Sequence, residues 1–425
     1  MIILLVYIFI FIAIYLAYRF FIKKQQSKHS FNDAKTITFG DESAVTPNRA
    51  ASFFSIFTLF FIWAAFTGSN YSPLHVPGPF TGDTSFTYTA RNAQNQLADA
   101  TVFIHVKKPD ADTTLSTLKN TAPRPTSFAE HDFINMQAWR SKLIRVQKND
   151  IGGKNKSYQV IAINNQAIKP KQTVPINNGS VTMTAKGSLS FTPAKGWQME
   201  AIWLPPPEAV ISRFIDIAQN GYQNISLFEN IGWSLLRVIA GFLLGCLVGI
   251  PLGYAMGLNS WVRGWFDPIV EFMRPIPPLA LIPLIIIWFG IWETGKISLL
   301  FLAALWIMTI AARAGVSGIN ISKIHAAYSL GASKTQVLIH IIIPNSLPDI
   351  FTGARVAMGV CWGTVVAAEL VAAEKGAGKM IIAASKFQQT DVVIMGIILI
   401  GIIGFGIDML MRKSENHLIP WKGKS

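Results

Sequence analysis

Charged residues are scarce in this sequence: Asp, Glu, Lys and Arg together make up 14% of its 425 residues. Soluble globular proteins contain about 25%. Hydrophobic residues make up 51% of the chain, and a chain of this composition is expected to place much of its length in lipid. The composition therefore argues against an ordinary soluble enzyme and favours a membrane protein.

Acidic residues are scarcer than basic ones, with 23 against 37, and the formal net charge is +14. This excess has two interpretations, cytoplasmic Lys and Arg that orient membrane spans or a nucleic-acid-binding surface. The sequence contains no basic helix with interleaved aromatic residues. We therefore favour the first interpretation and expect membrane lipid, and no nucleic acid, as a partner.

Cysteine and the usual catalytic motifs are also nearly absent. The two cysteines, Cys246 and Cys361, lie in separate apolar segments, which does not support a disulfide framework or a zinc site and indicates packing roles. The seven histidines form no H-x-x-x-H pair, and no segment matches G-x-S-x-G or G-x-x-x-x-G-K-[ST]. We expect no catalytic residue, no metal and no cofactor bound by this chain, which is therefore not an enzyme by itself.

Long apolar runs, in contrast, are abundant. A helix needs about 20 mostly apolar residues to cross the hydrocarbon core of a bilayer. About seven segments meet or approach this length: 1–24, 51–67, 232–256, 276–292, 297–317, 349–373 and 391–411. The first has no basic start and no small-residue cleavage site, so we expect it to remain as an anchor.

Basic residues next to these segments set the orientation: Lys23, Lys24, Lys323, Lys334, Arg412 and Lys413. Placing all of them in the cytoplasm satisfies the positive-inside rule with strict alternation of spans. Residues 25–50 then form a cytoplasmic linker, the C-terminus is cytoplasmic, and residues 68–200 are periplasmic.

Residues 68–200 differ in kind from the rest of the chain. TSFTYTA, ATVFIHV, SYQVIAI and SVTMTAKGSLSF alternate apolar and polar residues, which is typical of strands. We predict a small β-rich domain of about 130 residues, enough for a modest core. The stretch 140–171 is basic, and we favour a solvated face, with a surface that attracts anions or a partner protein as the alternative.

The stretch HAAYSLGASKTQVLIHIIIPNSLP, residues 325–348, lies between two apolar runs. Ser322 is the predicted N-cap of a short helix over 323–330, and Gly331 is its predicted left-handed C-terminal cap. Ser333 begins a second helix, and Gln336 three residues later completes a capping box. A short, rigidly capped helix between spans is suited to docking into a groove on a partner.

Two prolines shape the exit from this stretch. Pro344 is expected to end or kink the second helix, because proline removes a helical hydrogen bond. Ser346 and Asp349 repeat the capping-box spacing, with Pro348 in the first turn, and they predict the start of the next span.

The same stretch resembles the EAA loop of permease subunits in bacterial ATP-binding-cassette importers. Five residues fall on the motif: Ala326, Ala327, Gly331, Ile341 and Pro344. His325 stands where the family often has Glu, and Ile343 where it often has Leu. The resemblance implies coupling to an ATPase through eight residues: His325, Ala326, Ala327, Tyr328, Ser329, Leu330, Gly331 and Ser333.

Further segments resemble the nitrate, sulfonate and taurine branch of this family: LPPPEAV, RPIPPLALIPL, IWFGIWETGKI, TGARVAMGVCWGTVVAAELVAA and PWKGK. The resemblance is strongest to taurine permeases and covers residues 201–425, with a coupling loop at 320–348. It implies an all-α polytopic protein of the bacterial inner membrane, with the type I importer permease fold. The extra N-terminal helix and the inserted β-rich extracytoplasmic domain lie outside the resemblance.

The family's mode of action implies the partners. We expect a second copy of this chain, two ATPase subunits that bind ATP and Mg, and a periplasmic or lipid-anchored substrate-binding protein. The expected substrate is taurine or a related small sulfonate, with nitrate, longer alkanesulfonates and a pyrimidine precursor as alternatives. An alternative of a different class is a membrane-anchored sensor or scaffold.

Ionisable residues within the spans are candidates for the translocation pathway. An intramembrane carboxylate costs roughly 2.5 kcal/mol or more. We therefore expect Glu369 to gate the pathway or to pair with a lysine: Lys296, Lys375 or Lys379. Glu293 and Lys296 are placed at the outer mouth.

Four other residues are placed beside the pathway: Trp362, Thr364, Pro278 and Pro283. Trp362 lies one heptad before Glu369, and core packing is an equally good interpretation of it. The prolines break an apolar segment, and broken helices at membrane depth are tolerated beside a cavity. A simple kink is the alternative.

Overall fold

The computed structural model describes residues 52–108, 128–150 and 158–420, residues 49–51 by their backbone, and isolated helical positions between residues 5 and 20. The chain divides into two units, Met1–Glu208 and Ala209–Ser425. The first unit contains the strands, and the second contains the long apolar helices. The predicted anchor 1–24 and linker 25–50 lie largely outside the described residues.

In the first unit, helix α1 (Arg49–Thr67) is followed along the chain by the strands of two sheets. Its described residues form nine strands: β1 (Gly82–Asn92), β2 (Leu97–Lys107), β3 (Asp132–Gln137), β4 (Lys142–Ile144), β5 (Tyr158–Ile163), β6 (Gln166–Ala167), β7 (Thr173–Ile176), β8 (Gly179–Met183) and β9 (Leu189–Pro193). One sheet has the order β3-β2-β1-β5-β6 and the other β4-β9-β8-β7. Among these strands only β2 and β3 pair in parallel.

Alternation of apolar and polar residues builds the core of these sheets. In β1, Phe86 and Tyr88 are at most 2% exposed, while the residue between them is more accessible. Phe86 pairs with Val102 and Tyr88 with Ala100 across β2, so one face of both strands is apolar and buried. All four segments predicted as strands contain strands.

The second unit is helical, and it begins within α2. Its helices are α2 (Pro207–Asn220), α3 (Leu227–Leu258), α4 (Ser260–Met273), α5 (Ile282–Phe289), α6 (Glu293–Ser317), α7 (Ile321–Ser329), α8 (Lys334–Val337), α9 (Ile343–Ala372), α10 (Ala377–Lys386) and α11 (Thr390–Leu418). A 3-10 turn (Pro278–Leu281) precedes α5, and a π-helical turn (Leu338–Ile342) joins α8 to α9.

Glycines at every fourth residue bring α3 against α6: Gly241, Gly245, Gly249 and Gly253. A Cβ added at Gly241 would lie 2.3 Å from the Cβ of Leu300, so the two helices pack with their backbones close together, as small residues allow in membrane helices. Cys361 on α9 belongs to the same core, and Cys246 packs against it, which agrees with packing roles for both cysteines.

Four described helices are long and apolar enough to cross a membrane: Leu227–Leu258, Glu293–Ser317, Lys334–Val371 and Thr390–Leu418. They cover four of the predicted spans. The apolar part of α1, Ser52–Thr67, is shorter. The predicted span over 276–292 is interrupted, because α4 and the segment Pro278–Phe289 form a pair bent by 91°, which is either one broken span or a re-entrant loop. Prolines at the break remove the hydrogen bonds that would continue one helix into the other.

The helix predicted to end or kink at Pro344 continues into α9 through the π-helical turn. Pro344 has no N–H to donate and its ring crowds the preceding turn. In the wider turn Ile343 N donates to Leu338 O, and the chain stays helical. The predicted cap at Ser346 is wrong, since Ser346 lies inside α9 and its hydroxyl donates to Ile343 O at 2.9 Å.

Candidate functional site

A helical hairpin, α7 and α8, lies at one end of the long helices, after α6 and before α9. The N-cap of α7 is Asn320, whose side chain accepts from Ser322 N at 2.9 Å. The prediction that Ser322 caps this helix is therefore wrong by two residues, because Asn is as good an N-cap as Ser and stands earlier in the chain.

Gly331 ends α7 as predicted. Its φ is +84°, a left-handed conformation that glycine adopts without penalty. Gly331 N donates to Tyr328 O at 2.9 Å and Ala332 N to Ala327 O at 3.0 Å, which is the hydrogen-bond pattern of a Schellman C-cap.

The second helix of the hairpin starts with the predicted capping box. Ser333 Oγ accepts from Gln336 N, and Gln336 Oε1 accepts from Ser333 N at 2.8 Å. Both helices of the hairpin therefore have fixed ends, and the turn between them is defined by hydrogen bonds at both sides.

The hairpin exposes most of the eight residues singled out in the sequence. Ala327 alone among them is buried, and it packs with Val316, Val337 and Ile342. Leu330 is 89% exposed and Tyr328 is 46% exposed. A buried anchor thus holds an exposed and partly apolar surface, which is what a docking element requires.

A buried charged cluster lies at the opposite end of the same long helices. Glu369 on α9 is 0% exposed. Its carboxylate accepts from Arg237 Nη1 at 2.6 Å, from Ser234 Oγ at 2.8 Å and from Gly378 N at 3.0 Å. The predicted lysine partners are wrong, because the cation that pairs with Glu369 is Arg237 on α3.

Arg237 joins Glu369 to the residues predicted for the outer mouth. Its Nε and Nη2 donate to the two oxygens of Glu293 at 2.5 and 2.8 Å. Lys296 Nζ donates to Glu293 Oε1 at 2.9 Å. The pathway candidate Glu369 and the mouth candidates Glu293 and Lys296 therefore lie together. With Arg237 they form the charged cluster: Arg237, Glu293, Lys296 and Glu369.

The loop after α9 is tied to α3 beside the charged cluster. Gly376 N donates to Asn230 Oδ1 at 2.9 Å and Ala377 N to Ser234 Oγ at 3.0 Å. Lys375, one of the predicted partners of Glu369, instead pairs with Glu229 at 2.6 Å. These bonds satisfy backbone donors at the start of α10 that would otherwise be unpaired.

The charged cluster opens onto a cavity of about 480 Å³. Ten residues line it: Trp233, Arg237, Ile291, Trp292, Glu293, Lys296, Val371, Ala373, Glu374 and Lys375. The lining combines three cations and two carboxylates with two indole rings, and the Arg237 guanidinium within it is suited to bind an anionic group of a small ligand.

The other pathway candidates lie outside the lining of this cavity. Trp362 Nε1 donates to Ile400 O at 3.1 Å, and Trp362 packs in the helical core. Thr364 Oγ1 bonds within its own helix to Val360 O. Pro278 starts the 3-10 turn and Pro283 lies in the first turn of α5. The structure thus favours packing for Trp362 and shaping of the broken segment for the prolines.

Arg237 is the residue that the sequence reasoning missed. It lies in the middle of an apolar stretch, and an ionisable residue inside a span is by itself a functional signal. The same signal identified Glu369, and applying it to the segment 232–256 would have identified both members of the pair.

The strand unit contains a polar cluster of its own around Asp150. Tyr88 Oη donates to Asp150 Oδ2 at 3.1 Å, Glu130 N donates to Oδ1 at 2.6 Å, and Tyr158 Oη donates to the same carboxylate. Burial, together with a smaller contribution from the negative charge of the Asp150 carboxylate, raises the pKa of the neighbouring Asp132 to about 7. In the basic stretch, Arg140 pairs with Glu200 at 2.6 Å, while Arg145 and Lys148 are exposed, which fits both a solvated face and a surface that attracts anions.

Comparison with known proteins gives consistent matches to the helical part of the chain. Residues 226–419 match the family described as binding-protein-dependent transport system inner membrane component. The taurine transport system permease protein TauC of Escherichia coli is 46% identical over 224 residues, which are 52% of this chain and 82% of TauC.

Two further relatives are also described as permease proteins. The aliphatic sulfonates transport permease protein SsuC of Escherichia coli, a putative assignment by its own description, is 36% identical over 53% of this chain and 84% of its own length. The nitrate import permease protein NrtB of Synechococcus elongatus is 31% identical over 52% of this chain and 76% of its own length.

Proposed function

The chain belongs to the family of binding-protein-dependent transport system inner membrane components, among the taurine, sulfonate and nitrate permeases, and on that premise we propose that it translocates taurine or a related small sulfonate. Its relatives are permease subunits, which are not enzymes. In this proposal ATP and Mg bind to a separate ATPase, and the chain described here supplies the path through the inner membrane.

The single observation that most supports this proposal is the position of the two sites on the same helices. The capped hairpin follows α6 and precedes α9, whereas the charged cluster lies where α6 begins and α9 ends. Helices that join an exposed docking element to a charged cavity at their other end are suited to alternating access, in which rigid bodies swing about a binding site.

The hairpin is the proposed contact with the ATPase. The residues are His325, Ala326, Ala327, Tyr328, Ser329, Leu330, Gly331 and Ser333. In this assignment Leu330 and Tyr328 provide the apolar contact, and Ala327 fixes the hairpin to the helical core. His325 is exposed and stands where the EAA motif often has Glu. Because this position has no glutamate to form a salt bridge, the shape of the hairpin is the main determinant of docking in this proposal.

The proposed assembly contains two copies of this chain, two ATPase subunits and a periplasmic or lipid-anchored binding protein. In the proposed orientation the hairpin and the C-terminus are cytoplasmic, and the charged cluster and residues 68–200 are periplasmic. The positive-inside rule supports this orientation, because Lys323 and Lys334 flank the hairpin.

Taurine is preferred over nitrate and longer alkanesulfonates because TauC has the highest identity of the three relatives described. The cavity supports a substrate with an anionic group, since the guanidinium of Arg237 lines it and can bind an oxyanion through two hydrogen bonds. Reconstitution of the assembly and measurement of ATP-dependent taurine uptake tests the proposal. Loss of uptake on disrupting the hairpin turn, with the assembly intact, distinguishes an importer from a sensor or scaffold.

A further inference from the structure

The members of the charged cluster differ sharply in exposure. The side chains of Arg237, Lys296 and Glu369 are 1%, 7% and 0% exposed, whereas that of Glu293 is 41% exposed. Glu293 is thus the one member of the cluster that lies at the wall of the cavity and is still accessible to solvent.

Glu293 binds Arg237 in a two-pronged geometry. Its two carboxylate oxygens accept from Nε and Nη2 of the guanidinium at 2.5 and 2.8 Å. A sulfonate or a carboxylate on a small molecule presents a similar pair of oxygens, and the planar guanidinium fork matches such groups in two bonds. The Glu293 carboxylate therefore occupies the place that an incoming oxyanion would take.

The charge of the cluster is balanced only while one anion occupies that place. Arg237 and Lys296 contribute two positive charges, and Glu293 and Glu369 contribute two negative charges. Movement of Glu293 away from the fork would leave these two buried cations with Glu369 as the one anion of the cluster, which is costly. A singly charged sulfonate or carboxylate group that replaces the Glu293 carboxylate restores the balance at the fork.

The cavity wall next to the fork is aromatic. The Trp233 ring lies 5.7 Å from Arg237 Cζ, and Trp292, which is 69% exposed, lines the same cavity. Indole faces accept a short carbon chain or an ammonium group. The wall therefore suits a small anion whose other end is apolar or cationic.

From this geometry we propose that Glu293 is a displaceable internal anion, and that the sulfonate or carboxylate group of a small molecule exchanges with it on Arg237 during passage through the permease. The proposal rests on the proposed transport function and specifies the substrate class at one site. Arg237 and Lys296 form the anion subsite, Trp233 and Trp292 its wall, and Glu293 closes the subsite when no substrate is present.

The test compares two matched glutamine variants in the purified permease–ATPase complex in nanodiscs. Glu293→Gln keeps the size of the side chain and removes its charge. Glu271→Gln is the control, because Glu271 is 46% exposed and also pairs with an arginine, Arg313, but lies outside the cavity lining. Equilibrium binding is measured with labelled taurine, propionate and, as a cation of similar size, ethanolamine.

We expect Glu293→Gln to bind taurine and propionate about 10-fold more tightly than the unmodified complex, because the internal competitor has lost its charge. Ethanolamine binding should not tighten, and Glu271→Gln should match the unmodified complex. A second readout uses the unmodified complex: taurine should increase hydrogen exchange at residues 291–296, because it releases Glu293 from Arg237.

The proposal that an anion displaces Glu293 is overturned if both variants and the unmodified complex bind the anions equally and taurine does not change hydrogen exchange at residues 291–296. Tightening for ethanolamine as well as for the anions also overturns it. If taurine uptake is normal but Glu293→Gln binds anions no more tightly than Glu271→Gln, the displacement of Glu293 is refuted and the proposed transport function stands. If the complex transports no taurine but Glu293→Gln binds anions more tightly than Glu271→Gln, taurine is refuted as the transported substrate and the displacement of Glu293 stands.

Discussion

Arg237 Nη1 donates to Glu369 Oε1 at 2.6 Å, between two side chains that are 1% and 0% exposed. A pair this deeply buried has lost its hydration, and the bonds from Ser234 and Gly378 replace part of it. Removing one partner of such a pair is expected to cost far more than removing both, because it leaves an uncompensated charge.

Glu369→Ala is therefore expected to reduce the stability of the helical unit by about 3–5 kcal/mol. The double variant Arg237→Met, Glu369→Leu should recover most of that loss, because it removes both charges and fills the space with apolar atoms. Unfolding midpoints of the purified protein in one detergent measure both effects. A double variant that is less stable than Glu369→Ala would contradict this account of the pair.

Gly376→Ala is expected to disturb the same cluster from the backbone. Gly376 has φ +139°, and a Cβ there would lie 2.4 Å from Glu369 Cδ. A side chain in this conformation costs about 1–3 kcal/mol, and the contact would also push Glu369 away from Arg237. The unfolding midpoint should fall.

The matched control is Gly359→Ala, inside α9, where an added Cβ meets nothing within 4 Å. Alanine is a better helix former than glycine, so this variant should unfold at the same or a higher temperature. Equal losses for both glycines would show that crowding of Glu369 is not the cause.

Gly331→Val is expected to uncouple ATP hydrolysis from transport. A β-branched residue strongly disfavours the left-handed φ of +84° at this position, and the Schellman turn between the helices of the hairpin would open. ATPase activity stimulated by the loaded binding protein should fall at least several-fold while pull-down still recovers the complex.

Gly331→Asn separates conformation from side-chain size in the same assay, because asparagine tolerates the left-handed region. It should retain most of the stimulated activity. If valine and asparagine impair coupling equally, the turn geometry is not what the ATPase requires.

The strand unit is expected to lose stability as the pH rises. Burial raises the pKa of Asp132 from 3.8 to about 7, so the folded state binds more protons than the unfolded state between those values. The stabilisation is present below about pH 4 and is lost as the pH increases towards 7.

Hydrogen exchange of β2 and β3 in the full-length chain, corrected for intrinsic rates, measures this loss, which should be about 1–3 kcal/mol between pH 5 and pH 8. Asp132→Asn should flatten the dependence, whereas Asp99→Asn, at an exposed position, should preserve it. A pH dependence that persists in Asp132→Asn would assign the effect to another group.

Local sequence signals predicted local structure well. The glycine at 331 and the Ser333 capping box are determined by residues three or four positions apart, and the four strand segments by alternation within each strand. Such features need no knowledge of distant residues.

Features that depend on distant residues were predicted poorly. Arg237 and Glu369 are separated by 132 positions, and nothing within either helix specifies that they meet. Pro344 is a different case, because a π-helical turn precedes it and Pro344 stands in the first turn of α9, where a proline needs no helical hydrogen bond.

The most direct test of the central claim is uptake of labelled taurine by proteoliposomes that contain this chain, its ATPase and its binding protein. We predict ATP-dependent accumulation that excess unlabelled small sulfonate abolishes and that equimolar nitrate or a long-chain alkanesulfonate leaves largely intact. Absence of ATP-dependent taurine accumulation in an assembly whose ATPase responds to the loaded binding protein would contradict the account.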